Sequence, residues 1–470
     1  MIKGTFISDP SSLFLKSGEK FFTYHDLYCH AARIQQIVND PGEPIGIMTS
    51  NKEIAIMIIA SAWINGLTVV PFPLSTTAAE LTDLITLTGV QTMFCDSDNL
   101  DLPGDFGTRF VNINHFTPAI QPVEPARPDN DRLFGIFFTS GTSGKPKAVP
   151  LKRGQMISAA RSSSFSNQLN PGDLWLHCLP LHHIGGISII LRSVIYGSGV
   201  YNVSGFDVAG IADILSSDHN VKAVSLVPTQ LSRLIEYPGF KTHEAFRFAL
   251  IGGGRVPDTL REKAAGHVPA IFSYGMTETC AQIVATRDDG ASAEGSTGSV
   301  IPPNELIICD DRGKQLDNGQ SGFICLRGPQ VFDGYLNENE NTFFTGGWFN
   351  TGDYGYTDNK GNLFVESRRE DRIVTGGENV DPFEVENALL QIPGISDAAV
   401  IGLADDEWGQ IVTAVIVTGP DFTCTLKSLR GVLKSQLVGY KIPRRLEIVN
   451  ELPKSALGKV KKSNLKLRFE

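Results

Sequence analysis

The chain has 470 residues, 41% of them hydrophobic and 20% charged, with a formal net charge of −10. That length holds two or three domains and a large core, and the acidic balance argues against a nucleic-acid binder, which shows a basic face. Seven scattered cysteines with no CxxC pair predict reduced thiols in a cytosolic protein, not a disulfide scaffold or a zinc site.

The N-terminal stretch has no charged leader followed by an apolar run and a small-residue cleavage site. The longest apolar stretch, 54–74, is broken by Asn65, Gly66, Thr68 and two prolines, so it reads as a buried helix and then a strand, with no membrane span. In chain order, 20–38 carries helical spacing, with Thr23 a candidate N-cap. PIGIMTS reads as a strand, 51–66 as a helix, LTVVPFP as a strand, 77–88 as a helix and QTMFCD as a strand. Near-continuous apolar strands alternating with helices predict a parallel sheet covered on both faces. Residues 97–131 are polar and read as irregular.

After 174–180, a strand, and an apolar helix ending at Gly197, a second alternating series runs from VKAVSLV to PAIFSYG. The fold class expected is therefore α/β, with two doubly wound parallel sheets and ligands beyond the strand C-termini. From about 296 to 366 short strands separated by Gly, Asp and Asn turns predict a β-rich section of small-barrel type. The pattern then becomes that of a small α+β domain. The expected division is 1–368 and 369–470, with the charged SRREDR junction as a hinge.

The stretch Thr139–Lys147, TSGTSGKPK, packs hydroxyls, glycines and lysines behind an apolar run. Thr139, Ser140, Thr142 and Ser143 offer donors, Gly141 and Gly144 allow unusual backbone, and Lys145 and Lys147 add positive charge. The combination suits a clamp over a polyphosphate, although composition alone also fits a solvated linker. It is not an ordinary P-loop, because Pro146 follows Lys145, and Gly252-Gly253-Gly254 lacks the third glycine of a dinucleotide fingerprint. Further stretches share its character: SYGMTET (273–279), NTGDYG (350–355) with Asp353 in a turn, SRREDRI (367–373), and PKSALGKVKK (453–462).

In this order these stretches resemble the acyl-adenylate-forming family, which includes acyl-CoA synthetases, adenylation domains of peptide synthetases, and firefly luciferase. The resemblance covers essentially the whole chain. It implies that a carboxylate attacks the α-phosphate of ATP, that a mobile C-terminal domain then rotates, and that a thiol, usually of coenzyme A, takes the acyl group. It implies that 139–147 holds the β- and γ-phosphates and that Gly252, Gly253 and Gly254 form an edge for a flat ring. Tyr274 stacks on adenine, Thr277 contacts the α-phosphate, Glu278 holds Mg²⁺, and Asp353 and Arg368 bind the ribose. Lys459 bridges the attacking carboxylate and the α-phosphate, Gly377 lies beside the pantetheine channel, and Glu370 falls at the hinge, where Asp or Lys is more usual. Outside the family's pattern, each has a plainer reading: a solvated lysine among Lys454, Lys461 and Lys462, a helix-capping acid, a core tyrosine, a turn aspartate.

Residues 174–197 and the GGENVDPFEVE segment (376–386) resemble the o-succinylbenzoate–CoA ligase subgroup, whose acid carries two carboxylates on an aromatic keto skeleton. The resemblance implies that Arg192 binds the second carboxylate and that His183 gates the acyl pocket. Gly185 departs from the Ser often found there. The partners implied are a small-molecule acid, ATP and CoA; oligomeric state is left open. Other acyl-CoA ligases, a carrier-protein-loading enzyme and a silent nucleotide-binding scaffold are the alternatives.

Overall fold

The computed structural model describes residues 9–38, 40, 42–97, 107–125, 129–140, 146–287, 292–336, 338, 343–368, 371–419, 422, 424–454, 458 and 460–469. Two large sheets dominate. The first, six-stranded, runs in the order 109–112, 92–95, 45–48, 69–71, 133–140, 146–152. Its pairings are parallel except at the edge, where Leu133–Ser140 and Pro146–Lys152 form an antiparallel hairpin. The second has nine strands, in the order 299–300, 281–285, 270–276, 248–251, 221–226, 174–177, 199–202, 13–17, 20–23. Pairings from 270–276 through to 13–17 are parallel; 270–276 with 281–285, 281–285 with 299–300, and 13–17 with 20–23 are antiparallel. The two expected series are thus both present, with antiparallel edges added. Leu13–Ser17 crosses to pair with Gly199–Asn202.

Helix Lys52–Asn65 packs on helix Ile184–Tyr196. Every residue from Ala55 to Ile64 in the first of these is buried, as expected for a helix apolar on all sides. Asn51 starts it by accepting from the Ile54 amide at 3.2 Å, and Gly66 ends it in the left-handed region at φ 72°. Thr23 caps Tyr24–Ile37 as expected, in a reciprocal box with Asp26.

The section 296–366 contains an antiparallel sheet of 305–309, 322–327, 344–345, 348–357 and 363–368. Beyond it, strands 373–375, 378–380, 395–405, 409–418 and 445–448 make a separate sheet, packed by helices Pro382–Leu390 and Leu426–Leu433 on one core and Lys462–Phe469 on another.

Four readings need correction. The stretch 97–131 is not wholly irregular: Arg109–Asn112 extends the first sheet. Helix Arg153–Asn167, directly after the hairpin, was not anticipated. Asp353 lies in strand Trp348–Thr357, just after Gly352 at φ 75°, and not in a turn. Cys309 and Cys325 are not thiols but are joined by a disulfide, with Cα atoms 6.8 Å apart. Strand register brings them together, since Ile307 faces Cys325 and Cys309 faces Phe323, and sequence spacing carries no trace of that. Cys29, Cys95, Cys178, Cys280 and Cys424 are free and buried. Among the described residues no helix is long and apolar enough to cross a membrane.

Candidate active site

Two neighbouring parallel strands, Phe248–Ile251 and Ala270–Met276, end side by side. The first runs into Gly252–Gly254. A Cβ on Gly252 would lie 2.8 Å from the Ser273 hydroxyl, and Gly253 has φ 75°, so this edge is bare backbone for steric reasons. The second strand delivers Tyr274, whose hydroxyl donates to Asp353 Oδ2 at 2.8 Å. Asp353 comes from the β-rich section, is buried, and is the register partner of Arg368 on the next strand. The glycine edge, Tyr274, Asp353 and the backbone of Arg368 are therefore brought to one place by three separate segments.

One turn further on, Thr277–Thr279 is a 3-10 turn that buries Glu278. The Tyr335 hydroxyl donates to Glu278 Oε1 at 2.7 Å. Lys147 Nζ lies 4.5 Å from the Tyr335 ring centroid and 4.1 Å from that of Phe343, and pairs with Glu338 at 3.2 Å. The stretch around Tyr335 is pinned at both sides: Phe332 N–H donates to the Glu278 carbonyl and Leu336 N–H to that of Ala148. Thus the hairpin base and the Glu278 turn share one aromatic bridge. Thr139 and Lys147 face each other across that hairpin, as do Ser140 and Pro146. Gly141, Thr142, Ser143, Gly144 and Lys145 lie outside the described residues, as do Glu370 and Lys459.

Lys459 has a described neighbour. A Cβ on Gly458, at φ 76°, would collide with the Thr229 hydroxyl. Thr229 opens helix Pro228–Ile235, and Pro228 lies 3.6 Å from the Cβ position of Gly254. The C-terminal segment thus meets the glycine edge. Gly377, by contrast, sits at an exposed hairpin tip at φ 84° with open space around it.

His183 and Arg192 occupy opposite parts of helix Ile184–Tyr196. His183 is the N-cap residue; burial, then neighbouring His182 with its ring 4.2 Å away, lowers it to about 4, so it is neutral at pH 7. Arg192 is fully enclosed, 5.7 Å over Trp175, with Tyr196 and Cys280 the titratable groups acting on it. Burial holds its pKa below the ordinary arginine value, and its Nη2 has no hydrogen-bond partner among the described residues. A helix rise of about 1.5 Å per residue separates the two by roughly 13 Å.

Sequence reading missed Tyr335, because a lone aromatic in GYLNENE carries no spacing signal. It also missed Lys52, which donates to the carbonyls of His177 and Val203 at 3.0 Å each and is lowered by burial to about 8. A lysine at the start of a mainly apolar helix was its only trace.

The chain belongs to the AMP-binding enzyme family: residues 8–336 match that family and residues 384–459 match the AMP-binding enzyme C-terminal domain. Among its relatives, the 2-succinylbenzoate–CoA ligase of Geobacillus kaustophilus is 33% identical over 469 residues, covering 97% of this chain and 95% of the relative. That of Listeria monocytogenes is 39% identical over 344 residues, covering 72% and 71%. Among solved structures, the Bacillus subtilis o-succinylbenzoate CoA synthetase in complex with its acyl-adenylate intermediate superimposes with a TM-score of 0.87 at 29% identity, covering 98% of this chain and 96% of that one. ATP-bound MatB of Rhodopseudomonas palustris gives 0.91 at 25% identity, covering 99% and 97%.

Proposed function

We propose that this chain is an AMP-forming acid–CoA ligase that activates 2-succinylbenzoate with ATP and passes the acyl group to coenzyme A, in menaquinone synthesis in the cytoplasm. The observation that carries the substrate is Arg192, a guanidinium sealed in an apolar core with an unsatisfied Nη2. Such a group is costly unless an anion meets it. An acid with a carboxylate at each end suits a helix with His183 at its entry and Arg192 deep inside. The relatives named 2-succinylbenzoate–CoA ligase support the same reading.

Adenine lies against Gly252–Gly254 with Tyr274 on its face, and Asp353 and Arg368 take the ribose hydroxyls. The 139–147 stretch, Thr139 to Lys147, holds the β- and γ-phosphates, and Thr277 reaches the α-phosphate. Glu278 would hold Mg²⁺. Bound there, the ion would supply charge neutralisation for the departing pyrophosphate. Tyr335 keeps the Glu278 carboxylate oriented. Residues 1–368 bind ATP and the acid; 369–470 form the lobe that swings about Glu370, bringing Lys459 in for adenylation and Gly377 alongside the pantetheine arm for thioester formation.

Steady-state AMP release with ATP, Mg²⁺ and CoA tests this. Turnover should be greatest with 2-succinylbenzoate; better turnover of benzoate, cinnamate or a medium-chain fatty acid would refute the substrate.

A further inference from the structure

Arg255 follows the glycine edge directly and points at the C-terminal lobe. Its Nη1 lies 3.4 Å and 3.5 Å from the two carboxylate oxygens of Asp381, and its guanidinium stacks 4.5 Å from the Phe383 ring. Asp381 is also the N-cap of helix Pro382–Leu390, accepting from the Phe383 amide at 3.1 Å. One turn along that helix, Asn387 donates to Asp258 at 3.5 Å. The same helix carries half-buried Glu386, which pairs with Lys462 at 2.6 Å and accepts from the Val400 amide. Lys462 opens the helix that follows Lys459. One helix, Pro382–Leu390, therefore carries at its start the contact to Arg255 beside the glycine edge and, further along, the contact to Lys462; Gly458, four residues before Lys462, abuts Thr229.

We propose that Arg255 is a positioning residue for the adenylate-forming step: its grip on Asp381 and Phe383 holds the C-terminal lobe in the arrangement that sets Gly458, the residue before Lys459, against Thr229. The inference rests on the ligase reading above. The pair is partly shielded, so an ion pair and a cation–π stack together amount to about a fivefold to tenfold bias toward this arrangement. The bias has no role once the lobe has turned away.

The test separates the half-reactions in the full chain. Acid-dependent exchange of labelled pyrophosphate into ATP reports adenylation; thioester formation from synthetic 2-succinylbenzoyl adenylate and CoA reports the second step. Arg255→Gln and Asp381→Asn, the latter retaining a capping side chain, should each slow exchange about fivefold to tenfold and change thioester formation less than about twofold. The double variant should be no slower than either single one. Exchange at the wild-type rate in Arg255→Gln, or equal loss of both steps, would overturn the latch and leave the ligase reading standing. An independent readout uses dyes on Phe165→Cys and Leu467→Cys, both exposed positions, in a chain whose five free cysteines are buried. Arg255→Gln should shift the inter-dye distance distribution even if no acid supports exchange, and an unchanged distribution would also overturn the proposal.

Discussion

Glu278 accepts from a donor that sequence reading did not single out, Tyr335. Replacing Tyr335 by Phe keeps the ring beside Lys147 and removes the 2.7 Å hydrogen bond. A hydrogen bond to a charged group contributes about 1.5–3 kcal/mol, so adenylation should fall roughly tenfold to hundredfold, and a Mg²⁺ titration should show a raised metal requirement. Arg192 gives the opposite balance of stability and function. Arg192→Met removes a buried charge with an unsatisfied Nη2, so thermal stability should hold or rise, while KM for the dicarboxylic acid climbs about tenfold or more and KM for ATP stays put. A lower melting temperature with unchanged acid KM would make Arg192 structural. His30 supplies a pH test. Burial, partly offset by Asp26 and Glu53, lowers it to about 4, and its ring stacks 5.4 Å from Phe116. The unfolded chain therefore binds more protons between about 6.5 and 4, so stability present above the unfolded value is lost as pH falls through that window. Melting curves from pH 7 to 5 should show this loss, and His30→Gln should reduce it, leaving the share of His177, His182 and His183, which burial lowers too.

Helix Ile184–Tyr196 begins with two glycines of different character. A Cβ at Gly185 meets only Leu179, at 3.4 Å, whereas one at Gly186 would strike the Pro180 carbonyl. Gly185→Ser should gain up to about 1 kcal/mol from reduced backbone freedom and add a hydroxyl beside His183. Gly186→Ala should cost about 1–3 kcal/mol through overpacking. Chemical denaturation of the two variants gives both signs. The alternation of strands and helices was readable because both sheets are buried on their faces, and apolar periodicity reports burial. Helix Arg153–Asn167 escaped because part of its buried surface is polar: Ser163 and Asn167 bond Gln282 at 3.1 Å and 2.8 Å, and serine and asparagine favour caps and turns over helix interiors. Strand Arg109–Asn112 escaped because it is four residues in a polar stretch. For the site, motifs led to Tyr274, Glu278 and Asp353, but the contacts among them come from three segments folding onto one edge, and no spacing encodes Tyr335 at Glu278 or Arg255 at Asp381.

At the scale of the whole molecule, the account needs groups from both lobes to serve one triphosphate at different times. Among the described residues, the Gly458–Thr229 contact, the Arg255–Asp381 pair and the Asn387–Asp258 hydrogen bond join the two lobes near the glycine edge. On the proposed reading, Lys459 should be indispensable to one chemical step and dispensable to the other. The most direct test is 2-succinylbenzoate-dependent exchange of labelled pyrophosphate into ATP, run beside CoA-thioester formation from the ready-made adenylate, for the wild-type chain and Lys459→Ala. The account predicts exchange in the wild type only when the acid is present, its collapse in Lys459→Ala, and thioester formation largely retained in that variant. No acid-dependent exchange in the wild type, or equal loss of both activities in the variant, would contradict it.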